Sequence, residues 1–284
     1  MADRHSEAEH PTLLVDVDEI ARAEATNSLL QFDAAMNELA RALDKPKFNL
    51  KPSLILGLHR ILLEGISGYA GIYRPGKVDI RGSGHQPPEA GEVPALVEEM
   101  CEYINEEWEQ KSSIHLASYA LWRLNWIHPF ADGNGRTARI VSYLVLCVHT
   151  RSRLPGDLTI PEQISKNKIP YYAALEAGDK ACDRGRVDVT ALEGLMGGWL
   201  GNQLYDFIEK AGAGGGSDIP KAELEKVLRE ARAAGSLDRT AVFDPPRAQQ
   251  QGLISRVEAH PVIAGAIVTV LVALIGGAVA LIGR

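Results

Sequence analysis

The 284-residue chain has little cysteine: three residues, Cys101, Cys147 and Cys182, none of them in a CxxC pair. That excludes a disulfide framework and a CxxC redox or zinc site. Positive charge is also short, with 30 Lys and Arg against 37 Asp and Glu and a formal net charge of −7. A general nucleic-acid binder needs clustered Lys and Arg facing phosphates, so this balance argues against one. The first fourteen residues, MADRHSEAEHPTLL, lack a basic stretch followed by an apolar run, so no signal peptide is expected. Aromatic residues make up 6% and charged residues 24%, while hydrophobic residues reach 45%. These are ordinary values for a folded protein and exclude disorder over most of the length.

The hydrophobic content is not evenly spread. Residues 261–283 read PVIAGAIVTVLVALIGGAVALIG, without one charge, and 17 of the 23 are Ala, Val, Ile or Leu. As a helix this stretch is about 34 Å long, against a bilayer core of about 30 Å. A single C-terminal transmembrane helix is expected there, with the rest of the chain on the cytoplasmic side of the membrane. Ala211 to Ser217, AGAGGGS, is rich in glycine and reads as a flexible linker. The organisation expected is a loose tail over 1–14, a catalytic domain over 15–210, a linker and charged spacer helix over 211–260, and a membrane helix over 261–283.

Within 15–210 the pattern is helical. Ile20, Ala21, Ala25, Leu29, Phe32, Met36, Leu39 and Leu43 recur at spacings that place them along a helix. Further helices are expected over 53–63, 93–108, 113–126, 137–149, 169–177 and 187–210, with a Pro-capped segment from Ile160. Residues 65–94 are rich in Gly and Pro. There Pro75–Gly76 sits between β-prone residues, which suggests a short hairpin or an extended loop.

The chemistry concentrates in one stretch, His128–Pro129–Phe130–Ala131–Asp132–Gly133–Asn134–Gly135–Arg136–Thr137–Ala138–Arg139. Two glycines flank an asparagine directly before a helix, so the backbone can turn tightly and approach a ligand. Amides at a helix N-terminus favour an anion. Arg136 and Arg139 are three apart and reach the same side of the first turn, where guanidinium forks match phosphate oxygens. Asp132 offers a hard oxygen suited to Mg²⁺ beside phosphates. His128 is the group here that can take a proton near neutral pH. A base, a carboxylate, an anion cradle and two arginines within twelve residues point to phosphoryl or nucleotidyl transfer.

This stretch resembles the Fic family motif HxFx(D/E)GNGRxxR at every defined position. Residues 78–88, VDIRGSGHQPP, resemble the family's flap, which docks a target segment, and 167–175, NKIPYYAAL, resemble its later pocket-lining segment. The resemblance runs over about 15–205. It implies an all-α fold, a Fic-type helical bundle with a short β-hairpin flap. It also implies AMP transfer from ATP to a Ser, Thr or Tyr hydroxyl of a target protein, with pyrophosphate released. His128 would be the general base and Phe130 a buried anchor. Asp132 would hold Mg²⁺. Gly133, Asn134 and Gly135 would form the anion hole, while Arg136 and Arg139 grip the phosphates. Asn167, Tyr171 and Tyr172 would border the adenine. Val78, Asp79, Ile80, Arg81, Gly82 and Ser83 would dock the target. Gly135–Arg136 favours nucleotidyl over phosphoryl transfer. His85 is open to either a substrate contact or a structural role. Transfer of another nucleotide or phosphate-linked group, or a non-catalytic nucleotide-binding module, stays open as an alternative.

One departure from the family stands out. Many members carry an inhibitory helix with the pattern (S/T)xxxE(G/N), whose Glu pairs with the last motif arginine. Counted from Ser28, the Glu position falls on Phe32 and the next on Asp33. Phe cannot pair with an arginine. The expectation is therefore that Arg139 is free for phosphate and that inhibition is missing or supplied by a separate protein; Asp33 as a substitute partner stays open as the alternative.

Overall fold

The computed structural model describes residues 5–7 and 11–212. The apolar stretch 261–283 and the spacer helix expected over 222–234 lie outside the described residues. Among the described residues no helix is long and apolar enough to cross a membrane.

Among the described residues eight α-helices and two short strands appear in the order β1 (His5–Glu7), α1 (Val17–Leu43), α2 (Pro52–Leu63), β2 (Asp79–Arg81), α3 (Val93–Glu106), α4 (Ser113–Ile127), α5 (Asn134–His149), α6 (Ile160–Lys166), α7 (Lys168–Cys182) and α8 (Thr190–Gly212). Their starts follow local chemistry. The Asp16 carboxylate accepts from the Glu19 amide at 2.9 Å and caps α1, and Ser112 does the same for α4 from His115 at 3.1 Å. Such a side-chain cap satisfies an amide with no partner inside the helix and is worth about 1 kcal/mol. Proline in the first turn starts α2, α3 and α6, where its missing N–H is not needed.

The centre is the α4–α5 pair, packed against each other along most of their length. Leu116, Leu121, Trp122, Ile127, Val141, Leu144 and Leu146 are fully buried along this seam. Each buried aliphatic side chain contributes about 1.5–3 kcal/mol. With α1, α2, α7 and α8 wrapped round it, the pair holds the 128–133 connection rigidly at one end of the bundle.

The flap differs from the expected hairpin. Residues 79–81 form one strand whose antiparallel partner is β1, with His5 opposite Arg81, Ser6 opposite Ile80 and Glu7 opposite Asp79. Part of the tail expected to be loose is therefore paired. Further along it, the Leu13 amide donates to the Ile66 carbonyl at 2.9 Å and Gly68 donates to Pro11 at 2.8 Å. The cause is the edge of β2. An isolated strand exposes a row of unsatisfied backbone groups, and the segment that satisfies them comes from some seventy residues upstream.

Candidate active site

The connection from α4 to α5 carries the chemistry-bearing residues. His128 closes α4 in the left-handed region (φ 50°, ψ 59°), a conformation that β-carbon crowding makes uncommon for residues other than glycine. Three sets of contacts hold it. The buried Arg74 donates from Nε to the His128 carbonyl at 2.8 Å and from its two terminal nitrogens to the carbonyls of Gly76 and Pro88. Its backbone amide donates to Pro129 at 2.9 Å. One guanidinium thus ties the loop to both ends of the flap. Phe130, fully buried, stacks on the His59 ring with centroids 3.6 Å apart. Asn134 reaches back from α5, accepting from the Phe130 amide at 2.9 Å and donating to its carbonyl at 2.7 Å.

His59 was not singled out by sequence, yet it fixes the turn. Its Nδ1 accepts from the Gly71 amide, which leaves Nε2–H to donate to the Asp132 carbonyl at 3.0 Å. Burial pushes its pKa down from 6.5 to about 4, so the ring is neutral at pH 7. It packs beneath Gly133, whose φ of +78° makes it the turn residue at the start of α5. A Cβ there would meet Leu62 at 3.1 Å and His59 at 3.3 Å. Backbone conformation and close packing both require glycine at this position.

His128 itself is 5% exposed. Burial drives its pKa from 6.5 down to about 3, helped by the positive charge of Arg74. The imidazole is therefore neutral. Its Nδ1 faces the Asn125 carbonyl at 3.2 Å, a partner that can only accept, so the proton sits on Nδ1 and Nε2 carries the lone pair. That nitrogen lies 2.9 Å from Ser6 Oγ on β1. A neutral imidazole with its lone pair on a hydroxyl is the ground-state arrangement of a general base.

Beyond His128 opens a cavity of about 350 Å³ lined by Asp132, Gly133, Asn134, Gly135, Arg136 and Arg139. α5 begins at Asn134 rather than at the expected Thr137, so Asn134, Gly135 and Arg136 form its first turn beside this space, with Gly133 as its N-cap donating its amide to Asp132 Oδ1 at 2.6 Å. Tyr171 and Tyr172 line it from α7, with Lys168 beside them. Asn167 does not line it; this residue is exposed at the junction of α6 and α7. His85 lines the cavity and its Nε2 lies 2.7 Å from the Trp126 carbonyl, so it also has a structural partner. Of the six flap residues only Ile80 reaches the cavity. Asp79 and Arg81 face outward, Val78 is buried, and Gly82 and Ser83 turn the chain away.

The expectation that Arg139 is free is corrected, since it has a partner, and α1 supplies a carboxylate to the other motif arginine. Glu24 Oε1 lies 2.6 Å from Arg136 Nη1, and Asp132 Oδ2 lies 3.1 Å from Arg136 Nη2. Glu24 lies outside the pattern counted from Ser28 and pairs with Arg136 rather than with the last motif arginine. Phe32 lies eight residues on and its ring faces Tyr143 of α5 at 6.2 Å, while Asp33 is exposed and does not line the cavity. Arg139 lines the same cavity as Glu24 and is not free of partners.

A likeness to known proteins covers this part of the chain. Residues 49–146, which hold every element of the 128–139 turn, match the model of the Fic/DOC family. Over these residues the chain is similar to members of that family. It is 32% identical over 159 residues to a protein adenylyltransferase Fic of Drosophila willistoni, a match covering 54% of this chain and 29% of that protein. Against the protein of the same description from Drosophila grimshawi the identity is 35% over 159 residues, covering 54% and 30%. The chain thus spans less than a third of the length of these relatives. At the level of fold it is similar to the crystal structure of a Fic domain containing signaling protein from Bacteroides thetaiotaomicron, with a TM-score of 0.54 and 21% identity over 68% of this chain and 74% of that one. The Fic-like, mostly helical bundle expected from sequence is what the structure contains.

Proposed function

We propose that this domain transfers AMP from ATP to a hydroxyl side chain of a target protein, releasing pyrophosphate. The observation that carries the reading is the buried neutral His128, its Nε2 at hydrogen-bond distance from a hydroxyl oxygen at the mouth of the cavity formed by the GNGR turn. The naming of the Drosophila relatives as adenylyltransferases supports it.

In this reading His128 takes the proton of the attacking hydroxyl. The amides of Gly133, Asn134 and Gly135 at the start of α5 cradle the phosphates, which for Gly133 requires its bond to Asp132 Oδ1 at 2.6 Å to yield. Arg136 and Arg139 grip the outer phosphates, which for Arg136 requires Glu24 to yield. Tyr171 and Tyr172 border the base. The half-exposed Asp132 carboxylate would suit Mg²⁺, an ion that takes one or two carboxylates with substrate phosphates and water. A bound ion would neutralise phosphate charge. The exposed edge of the flap would receive an extended segment of the target by strand addition. The apolar stretch 261–283 is proposed as a single-pass anchor that keeps the domain at a membrane on its cytoplasmic side.

The test is to incubate the chain with each of the four nucleoside triphosphates, labelled at the α-phosphate, with Mg²⁺ and a protein extract. Label on protein from ATP, lost in His128→Ala, is expected. Equal labelling by both proteins, or none from any nucleotide, refutes the reading; label from another nucleotide alone corrects the substrate. Carbonate extraction of a reporter fused to 261–284 tests the anchor, and release into the soluble fraction would refute it.

A further inference from the structure

We propose that Ser6 is itself a nucleotide-acceptor site: β1 occupies the docking edge of the flap as an intramolecular substrate and presents its hydroxyl to His128. The proposal rests on the transferase reading above. Four observations carry it. First, β1 pairs with β2 in antiparallel register, Ser6 opposite Ile80. This is the way an extended segment adds to a free strand edge, through main-chain bonds that any sequence can make. Second, the register puts Ser6 and Ile80 on one face, and both line the cavity while the flanking Asp79 and Arg81 do not. A shift by one residue would turn Ser6 away from the site.

Third, the hydroxyl is placed for attack. Ser6 Oγ lies 2.9 Å from His128 Nε2, whose lone pair is fixed by the Asn125 contact on the other ring nitrogen, so the serine O–H donates. The Asn134 amide donates to the same oxygen at 3.2 Å. One of the two oxygen lone pairs accepts that bond and the other remains for an electrophile. Fourth, among the described residues Ser6 is the only aliphatic hydroxyl lining the cavity, and it sits beside the turn that would cradle the phosphates.

The step balances without a further reactant beyond the nucleoside triphosphate. Ser6 Oγ forms a bond to the α-phosphorus, and the bond from that phosphorus to the bridging oxygen breaks. Pyrophosphate leaves with the electron pair, and the serine proton passes to His128 Nε2. Because nucleophile and base belong to one chain, the reaction draws on the effective concentration of a tethered group. It proceeds once per molecule, and modified Ser6 can no longer donate a proton to His128.

The experiment uses the full chain, wild type and Glu24→Ala, with ATP labelled at the α-phosphate and Mg²⁺, followed by peptide mapping by mass spectrometry. One adenylyl group on the peptide containing Ser6 is expected, retained in Ser6→Thr and lost in Ser6→Ala and His128→Ala. Circular dichroism checks that each variant is folded. The fraction labelled at a fixed time is expected to stay constant on dilution. His128-dependent label on other hydroxyls, or on added protein, with Ser6 unmodified, overturns the Ser6 assignment and leaves the transferase reading standing. No label on any protein from any nucleoside triphosphate overturns both. Labelling of Ser6 that slows with dilution overturns the intramolecular arrangement.

Discussion

Replacing Glu24 by Ala should make the domain bind ATP more tightly. The side chain spans from α1 to Arg136 at 2.6 Å, with the arginine 25% and the glutamate 37% exposed. A pair this wet is screened by water, and its net worth is about 1 kcal/mol. A triphosphate that takes Arg136 must first break that pair. Removing the carboxylate relieves this step, and 1 kcal/mol converts to about a fivefold change in dissociation constant. Repulsion between Glu24 and the phosphates adds in the same direction. Asp132 still holds the other side of the guanidinium, at 3.1 Å, so the arginine stays in place. Titration calorimetry with a non-hydrolysable ATP analogue and Mg²⁺ reads the change directly. Glu24→Gln keeps the shape while removing the charge, and should tighten binding by a similar factor. Loss of a surface pair lowers stability by no more than about 1 kcal/mol, a melting shift of about 2–4 °C for a domain of this size. Binding that is unchanged or weaker in both variants, with the fold intact, would refute the idea that Glu24 competes with phosphate for Arg136.

His128→Ala should reduce transfer to protein by about 10²–10⁴-fold, the usual worth of a positioned base, with the analogue affinity little changed; an equal loss of binding would point to a structural role. Acid should unfold the protein, because the buried His128 and His59 have folded-state pKa values of about 3 and about 4 against 6.5 when exposed. Between those values the unfolded chain binds more protons, so stability is complete above pH 6.5 and falls as pH drops toward 4. His59→Gln should flatten that slope in melting curves. Gly178→Ala should destabilise by about 1–3 kcal/mol in urea unfolding, since its Cβ would sit 2.7 Å from the Trp122 ring. The clash would push α7 outward and carry Tyr171 and Tyr172 with it, so analogue binding should weaken too.

What could be read in the sequence was local. The 128–139 turn is legible because its parts lie within one helical turn of each other, and glycine at 133 is demanded by backbone and packing that its neighbours announce. Helix positions were legible from apolar spacing, but not the start of α5, since a left-handed Gly133 lets the GNGR residues join the helix early. The contacts that escaped are long-range. Glu24 meets Arg136 across 112 residues and Ser6 meets His128 across 122, and neither pairing leaves a local trace. On α1 one further signal was available. Glu24, Asn27 and Gln31 fall on one helical face, and the last two are buried polar residues that bond α2 carbonyls. Buried polar residues on one face of this amphipathic helix mark the side that packs on α2 next to the site, and Phe32 lies off it. The flap was misread because Pro75–Gly76 is a good turn, while a strand's partner is fixed by topology and not by the turn beside it.

The two escaped contacts differ in kind from the ones that build the turn. His128 is held by the buried Arg74 and by Asn125, and the loop by His59, Phe130 and Asn134, all within protein and all mutually supporting. Such an arrangement resists small perturbations, because removing one partner leaves a buried polar group unsatisfied at about 1–3 kcal/mol. Glu24 and Ser6 instead approach from the N-terminal thirty residues and touch the site through contacts at the cavity wall, where water or a ligand can replace them. On the transferase reading proposed above, His128 and the 133–136 turn would be preorganised, whereas access to each would be set separately: phosphate entry by Glu24 at Arg136, acceptor entry by β1 at the flap. A double variant, Glu24→Ala with Ser6→Ala, distinguishes this from a single coupled gate. Independent gates predict that the effects on analogue affinity add within about 0.5 kcal/mol, with Ser6→Ala contributing almost nothing. A large non-additive gain would mean that β1 and α1 move together.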